Sequence, residues 1–320
     1  MRILVTGGAG FIGSTLVRML LTGALPDHPD TLVTVLDALT YAGRRDNLDP
    51  VADSPRLRFV HGDVRDEALV DSVVPGHDAI VHLAAESHVD RSIAAAAPFV
   101  STNVLGTQVI LDAALRHRIR RVLCVSTDEV YGSLAHGAWT EDAPLAPRSP
   151  YSASKAGADL LALAYHATHG LRVTVTRGAN TYGPRQHGEK IVPRFTTRLL
   201  AGRTAPLYGD GHHVRDWFHV TDHCRGLDLA LRHGRPGRVY HLAGGTELTN
   251  AELAARLVRL TGADPALVTP VADRKGHDRR YALDTTRART ELGFTPTVAF
   301  DEGLAETVAW YRAHPDRATD

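Results

Sequence analysis

Apolar residues in the first half of this chain fall into short continuous runs set between helical patterns. Arg2–Thr6 is the first run; Gly7-Gly8-Ala9-Gly10-Phe11-Ile12-Gly13 follows, and then Leu16, Val17, Leu20 and Leu21 at helical spacing. Short apolar runs bounded by turn residues read as strands buried on both faces. The same signature predicts strands at Thr31–Leu36, Leu57–Val60, Ala79–Ala84, Val122–Val125 and Arg172–Thr176. Helical spacing predicts long helices over Asn103–Arg116 and Tyr151–His169, the second ended by Gly170 as a carboxyl cap. Strands and helices alternating in this order define an α/β fold, a Rossmann-type doubly wound parallel sheet.

The pattern changes after Arg177. Gly183-Pro184, Pro193, Pro206, Gly209 and Gly211 break it into shorter pieces, with helices expected near Asn250–Thr261, Thr285–Leu292 and Asp301–Arg312. Residues 1–180 read as a nucleotide-binding domain and 181–320 as a smaller, mixed substrate domain. Arg238–Leu242 looks like one strand returning to the main sheet. There is no internal repeat.

Composition narrows the class. At 320 residues with 43% apolar content there is ample material for a core. The formal net charge is zero and the pI about 7.4, so no global field draws the chain to nucleic acid or a membrane. An anionic ligand must be held by local cations. Two cysteines, Cys124 and Cys224, give no disulfide framework. Met1 runs straight into a strand and no stretch reaches the roughly 20 apolar residues of a membrane span, so a cytoplasmic protein without a signal peptide is expected. All but three of the 36 basic residues are arginine. Positions that keep lysine, Lys155, Lys190 and Lys275, are candidates for a compact, rotatable ammonium.

Three stretches carry candidate chemistry. The Gly7/Gly10/Gly13 loop lies between a strand and a helix, the context a dinucleotide fingerprint needs; Asp37 ends the next strand, where a carboxylate accepts from a ribose diol and repels a 2′-phosphate. NAD rather than NADP is the expected cofactor. Asp63 follows the third strand and either meets the adenine edge or caps the next helix. The loop Glu86–Ser92 is densely polar; its residue types alone favour a solvated loop with a satisfied ion pair. Finally, Ser126-Thr127-Asp128-Glu129 closes a buried strand, and Tyr151 and Lys155 stand four apart on one helix face. A free tyrosine is a poor base at pH 7, and a cation one turn away favours its phenolate.

These residues resemble the extended short-chain dehydrogenase/reductase family. Gly7-x-x-Gly10-x-x-Gly13, Tyr151-x-x-x-Lys155 and Asn180-x-Tyr182-Gly183-Pro184 match it broadly. Within it, Glu86–Ser92, Ser126–Gly132, Glu189–Pro193, Tyr208–Gly211 with Arg215, Leu248–Asn250 and Asp273–Asp278 with Tyr281 look like the dTDP-glucose 4,6-dehydratases. The resemblance places the Glu86–Ser92 loop at the site. For the cofactor it implies, beside the glycines, Phe11, Ile12 and Asp37, the residues Leu39, Thr40, Asp63 and Val64. Leu83, Ala84, Ala85, Ser87, Thr102 and Thr181 join them, with Tyr151 and Lys155. For the sugar nucleotide it implies Ser87, Thr127, Asp128, Glu129 and Asn180, then Glu189, Lys190 and Ile191. Pro206, Tyr208, Arg215, Asn250, Asp273, His277 and Tyr281 complete that set. The implied reaction oxidises C4 of dTDP-glucose through Tyr151 and Lys155 with Thr127 on the carbonyl. It then eliminates water across C5 and C6 with Glu129 as base and Asp128 as acid. Asp128 must therefore be neutral at pH 7.

One stretch departs from the common pattern. Gly178–Arg185 stands where many members carry Cys-Ser-Asn-Asn-Tyr-Gly-Pro-Tyr, so Thr181 replaces an amide near the nicotinamide and Arg185 adds a cation. The family also implies a homodimer through a four-helix bundle of the Asn103–Arg116 and Tyr151–His169 helices, both apolar around much of their circumference. A nucleotide-sugar 4-epimerase or a UDP-glucuronate decarboxylase would use the same scaffold, but neither needs an acid pair for elimination. An NAD-sensing module without catalysis would not need Thr127, Tyr151 and Lys155 together.

Overall fold

The computed structural model describes residues 1–317. Its main element is a seven-stranded, wholly parallel sheet built from β1 (Arg2–Thr6), β2 (Leu32–Asp37), β3 (Leu57–His61), β4 (Ala79–His82), β5 (Arg121–Thr127), β6 (Val173–Gly178) and β10 (Val239–Leu242). The intervening strands β7 (Asn180–Tyr182), β8 (Ala205–Tyr208) and β9 (Val214–His219), with β11 (Thr246–Thr249) and β12 (Val268–Val271), form two small sheets. The order of the main sheet is β10-β6-β5-β4-β1-β2-β3, so it reverses direction beside β1. A crevice opens at the carboxyl ends of strands at such a reversal, and parallel sheets collect their ligands there.

The main sheet's inner strands are apolar on both faces because helices cover both. Phe11–Thr22 and Val220–His233 pack on one side, sharing a core of Val17, Leu20, Val125, Cys224, Leu227 and Ala230. Gly106–Arg116 and Pro150–His169 cover the other through Val109, Ile110, Ala113, Ala162, Val122 and Val173. A third core, with Phe195, Trp217, Leu253, Leu257 and Leu304, holds the smaller sheets and the carboxyl-terminal helices together. Of these two small sheets one is mixed: β7 runs parallel to β9 and β11 antiparallel to it.

The predicted strands and helices stand near their expected bounds, with two differences. The helix expected from Asn103 begins earlier and is wound as a π helix over Val100–Leu105 before Gly106–Arg116 continues as α. The helix expected at Thr285–Leu292 is mostly a short π turn, Ala288–Leu292. A wide turn admits an extra residue per loop and shifts the side chains that follow. At Val100–Leu105 the shift buries Asn103, whose amide spans two elements of the site.

Candidate functional site

The Gly loop connects β1 to the Phe11–Thr22 helix under tight constraint. Gly7 has φ +69, and a Cβ on it would lie 2.7 Å from the backbone nitrogen of Ala84 on the neighbouring β4 loop. A Cβ on Gly13 would lie 2.2 Å from the Gly7 carbonyl oxygen. The helix starts at Gly10 with no side-chain cap and no acid in its first turn, so its leading N–H groups remain open to an anion. Asp37 ends β2 and is 8% exposed. Its Oδ2 accepts from Ala9 N and its Oδ1 from Leu39 N, both at 2.8 Å. Burial raises its pKa, and those two N–H groups oppose the rise. Each oxygen keeps a lone pair, so the arrangement fits a dinucleotide with an unmodified ribose.

These groups line a solvent-open cleft of about 1680 Å³. Every residue expected on the cofactor side lines it except Leu39, whose φ of +49 and N–H serve to hold Asp37. Asp63 lines it too but caps no helix: its carboxylate takes the Arg65 guanidinium at 2.6 Å, while Asp66 caps the next helix. A second chamber of about 1130 Å³ adjoins the first, and Glu129, Asn180, Thr181, Gln186, Glu189 and Lys190 line both. Ile191, Pro206, Tyr208, Arg215, Asn250, His277 and Tyr281 line the second chamber. Ser87, Thr127 and Asp128 face the first. Asp273 lines neither, and stands behind His277 as acceptor for its Nδ1 at 2.7 Å.

The acid pair sits where β5 ends and turns into Asp128–Tyr131, a single 3₁₀ turn capped by the Thr127 hydroxyl. Thr127 Oγ1 also donates to Asp128 Oδ1 at 3.2 Å, while Asp128 Oδ2 is buried without a partner. Asp128 is 3% exposed, and burial and then the Glu129 charge push its pKa up to about 8. A carboxyl in that state holds its proton at pH 7, as the elimination reading requires. Burial also raises Glu129, but Lys190, Arg215 and Arg274 pull it back.

A capping box fixes the start of the Pro150–His169 helix: Ser149 Oγ accepts from Ser152 N and Ser152 Oγ from Ser149 N. Tyr151 and Lys155 therefore face the cleft together. The Lys155 ammonium donates to the Val125 carbonyl oxygen at 2.8 Å, and burial lowers its pKa. Burial and then Glu129 hold the Tyr151 phenol well above its usual range, against a hydrogen bond with Thr127. Burial first, and then the Glu129 and Asp128 charges, favour the protonated phenol, while Lys155 spends one of its donors on Val125.

The two other lysines divide. Lys190 Nζ donates to the Ser87 carbonyl oxygen at 2.6 Å across the cleft mouth, whereas Lys275 is exposed and lines neither chamber. The polar loop 86–92 does hold an ion pair, but it reaches across the site: Asp90 meets Arg274 at 2.6 Å and accepts from the Tyr208 hydroxyl at 3.2 Å. Residue patterning missed several groups here. Asn103 binds Glu86 N and O and donates to Ser154 Oγ, tying the loop to the helix of Tyr151. Tyr41 donates to Glu189, and Arg274 and Asp278 line the second chamber. Nothing local in the sequence marks Asn103, because its partners lie 17 and 51 residues away.

Among the described residues, one group has metal-ligand types, His213, Asp273 and His277. The two imidazoles stack with centroids 3.7 Å apart and planes 16° apart, and each meets Asp273. A metal lies near the plane of each ligating ring, and two nearly parallel rings offer no shared point of that kind. The group is a stacked pair of rings on one carboxylate, with the hydrogen bond running from His277 to Asp273.

Three comparisons with known proteins agree with this architecture. The sequence model of the GDP-mannose 4,6 dehydratase family matches residues 4–307, and the chain belongs to that family. A dTDP-glucose 4,6-dehydratase of Streptomyces niveus is 59% identical over 100% of this chain and 98% of its own. DesIV, a dTDP-glucose 4,6-dehydratase of Streptomyces venezuelae solved with NAD bound, superposes with a TM-score of 0.97 at 60% identity, covering 99% of this chain and 98% of its own. UDP-glucose 4-epimerase of Thermotoga maritima superposes at 0.90 with 32% identity, covering 98% and 99%. The scaffold therefore serves both chemistries, and the fold alone does not choose between them.

Proposed function

We propose that this protein is an NAD-dependent hydro-lyase that converts dTDP-glucose to dTDP-4-keto-6-deoxyglucose. The observation that carries the reading is Asp128, a buried carboxyl that keeps its proton at neutral pH beside a second acid. An epimerase on this scaffold has no use for a leaving-group acid. The high identity to dehydratases, against 32% to an epimerase, supports the same choice.

When bound, NAD supplies the hydride acceptor, the hydride donor and a positive charge that offsets the two acids. Gly7, Gly10, Gly13 and the open helix end hold its pyrophosphate, and Asp37 its ribose. With that positive charge beside it and Lys155 one turn away, Tyr151 would ionise and, as the phenolate, take the proton of the 4-hydroxyl. Thr127 hydrogen-bonds the oxygen as it becomes a carbonyl, and that ketone acidifies the proton on C5. Glu129 removes the C5 proton, Asp128 protonates the departing 6-hydroxyl, and Glu129 later returns a proton to C5. Arg215 and Lys190, with Asn250, neutralise and bind the diphosphate. Lys190 spends one of its three donors on the Ser87 carbonyl and keeps two for the diphosphate. The placement of the groups supports a division of labour between residues 1–180 and 181–320, although Thr181, Gln186, His187, Glu189, Lys190 and His223 also line the cofactor cleft.

The same reading includes a cytoplasmic homodimer. Val100, Leu105 and Leu160 are 53%, 47% and 58% exposed on the helices expected to pair, and an apolar stripe of this kind suits a second copy.

The decisive measurement uses dTDP-glucose carrying deuterium at C4. A dehydratase delivers that label to C6 of the same molecule and takes deuterium at C5 from D₂O. A product that keeps its 6-hydroxyl and carries the label at C4 overturns the proposal.

A further inference from the structure

Thr181 is the residue that departs from the amide expected near the nicotinamide, and its surroundings explain how a hydroxyl can serve there. Its Oγ1 lies 2.8 Å from Nδ1 of His223, a residue of the Val220–His233 helix that the sequence reading did not select. The two residues line the cofactor cleft. The His223 ring is buried against Phe218, with centroids 4.8 Å apart. It packs so closely over Gly178 that a Cβ there would stand 2.9 Å from its Cε1.

Which nitrogen of His223 carries its proton decides what Thr181 can do. Burial pulls its pKa down to about 3, so the ring is neutral and holds one proton. Nε2 is buried and has no hydrogen-bond partner. A buried N–H without an acceptor forfeits its hydration for nothing, and such donors are rarer in folded proteins than under-satisfied acceptors. The proton therefore sits on Nδ1, which donates to Thr181 Oγ1. Thr181 must then place its own proton elsewhere. The Ala179 carbonyl oxygen is 3.3 Å away, long for a hydroxyl donor, and the remaining direction is the cleft.

We infer that His223 is a positioning residue that fixes Thr181 as a hydrogen-bond donor to the nicotinamide carboxamide of the bound dinucleotide. The end of the ligand follows from the cleft itself. Asp37 ends β2 on one side of β1, suited to the adenosine ribose, while Thr181 follows β6 on the other side, beside β5 with its Thr127. A lone threonine hydroxyl rotates among three staggered positions; a donor on its oxygen restricts that rotation. The pair thereby reproduces what a rigid amide would offer.

The inference rests on NAD as the resident cofactor, and the test separates the two. Denatured wild type should release NAD; if it neither contains nor binds NAD, the cofactor reading itself fails. Given a loaded wild type, the rate of NAD release is followed after dilution into an NAD-scavenging buffer. Thr181→Val and His223→Leu should each release it about tenfold faster, the worth of one hydrogen bond. The double variant should release it no faster than the faster single, because both changes break the same bond. His223→Asn, whose amide N–H can replace Nδ1–H, should stay within about twofold of wild type. Additive effects overturn the inference, and so does wild-type retention in Thr181→Val or His223→Leu. Should His223→Leu not fold, the other singles decide: loss in Thr181→Val with retention in His223→Asn supports the inference, and equal loss in both overturns it.

Discussion

Lys155 donates its ammonium proton to the carbonyl oxygen of Val125, 2.8 Å away, and so anchors the Pro150–His169 helix to β5. The bond makes Lys155 a brace as well as a charge. Lys155→Met should leave a buried carbonyl unpartnered, at a cost of about 1–3 kcal/mol. Thermal unfolding should shift down by several degrees, in addition to any loss of C4 oxidation. An unchanged melting temperature would show that the bond contributes little.

Asp128 separates elimination from oxidation. Asp128→Asn keeps the shape and can donate a hydrogen bond, but it cannot deliver a proton to a poor leaving group. The loss of a general acid typically lowers turnover by ~10²–10⁴-fold. With dTDP-glucose, the variant should accumulate reduced cofactor, seen as absorbance at the nicotinamide band, while Tyr151→Phe should show neither reduction nor product. Product formation at the wild-type rate by Asp128→Asn would remove Asp128 from the mechanism.

The same carboxyl sets a pH dependence. Its folded pKa of about 8 lies above the ordinary 3.8, so between those values the folded chain binds more protons than the unfolded one. Stability from this group is therefore present at low pH and declines as pH rises toward about 8. Turnover should fall along an alkaline limb near the same value, because the ionised form cannot act as an acid. Urea melts and kcat profiles from pH 6 to 9 check both, and Asp128→Asn should flatten the stability slope.

Asp37 sets cofactor choice. The chromatographed supernatant of denatured protein should contain NAD and little NADP. Asp37→Asn removes the charge that would face a 2′-phosphate, and the ratio of NADP to NAD affinity should rise by at least roughly tenfold. An unchanged ratio would place the discrimination elsewhere.

For the subunit contact, Leu160→Arg puts a charge on the most exposed apolar side chain of the Pro150–His169 helix. Light scattering should give a dimer mass for wild type and a monomer mass for the variant at micromolar concentration. A wild-type monomer would remove the dimer from the proposal.

The legible part of the sequence was the part written in local periodicity. β1 and the Asn250–Thr261 helix stand at the bounds read from their patterns, because apolar runs and a capping box mark them. The acid pair was readable because Thr127, Asp128 and Glu129 are consecutive. β7, β8, β9, β11 and β12 were not, since each is three to six residues long and takes its register from a distant partner. The helix of His223 went unnamed because its buried face carries Asp222, His223 and Asp228, which weaken an apolar stripe. The Lys155–Val125 bond and the Asp90–Arg274 pair join positions 30 and 184 residues apart, and no window of sequence contains both ends.

The path of the chain after β6 has a consequence for how this protein can be divided. The Val220–His233 helix covers the face of β5 and β6, and β10 closes the sheet's edge against β6. A polypeptide stopped at residue 180 would therefore expose Leu123, Val125 and the Phe11–Thr22 helix to water and leave β6 as a bare edge, although it contains all five reacting side chains. On this packing, residues 1–180 alone should not fold to the native sheet. Fragments cut between residues 180 and 242 should recover a native sheet only when both pieces are present together.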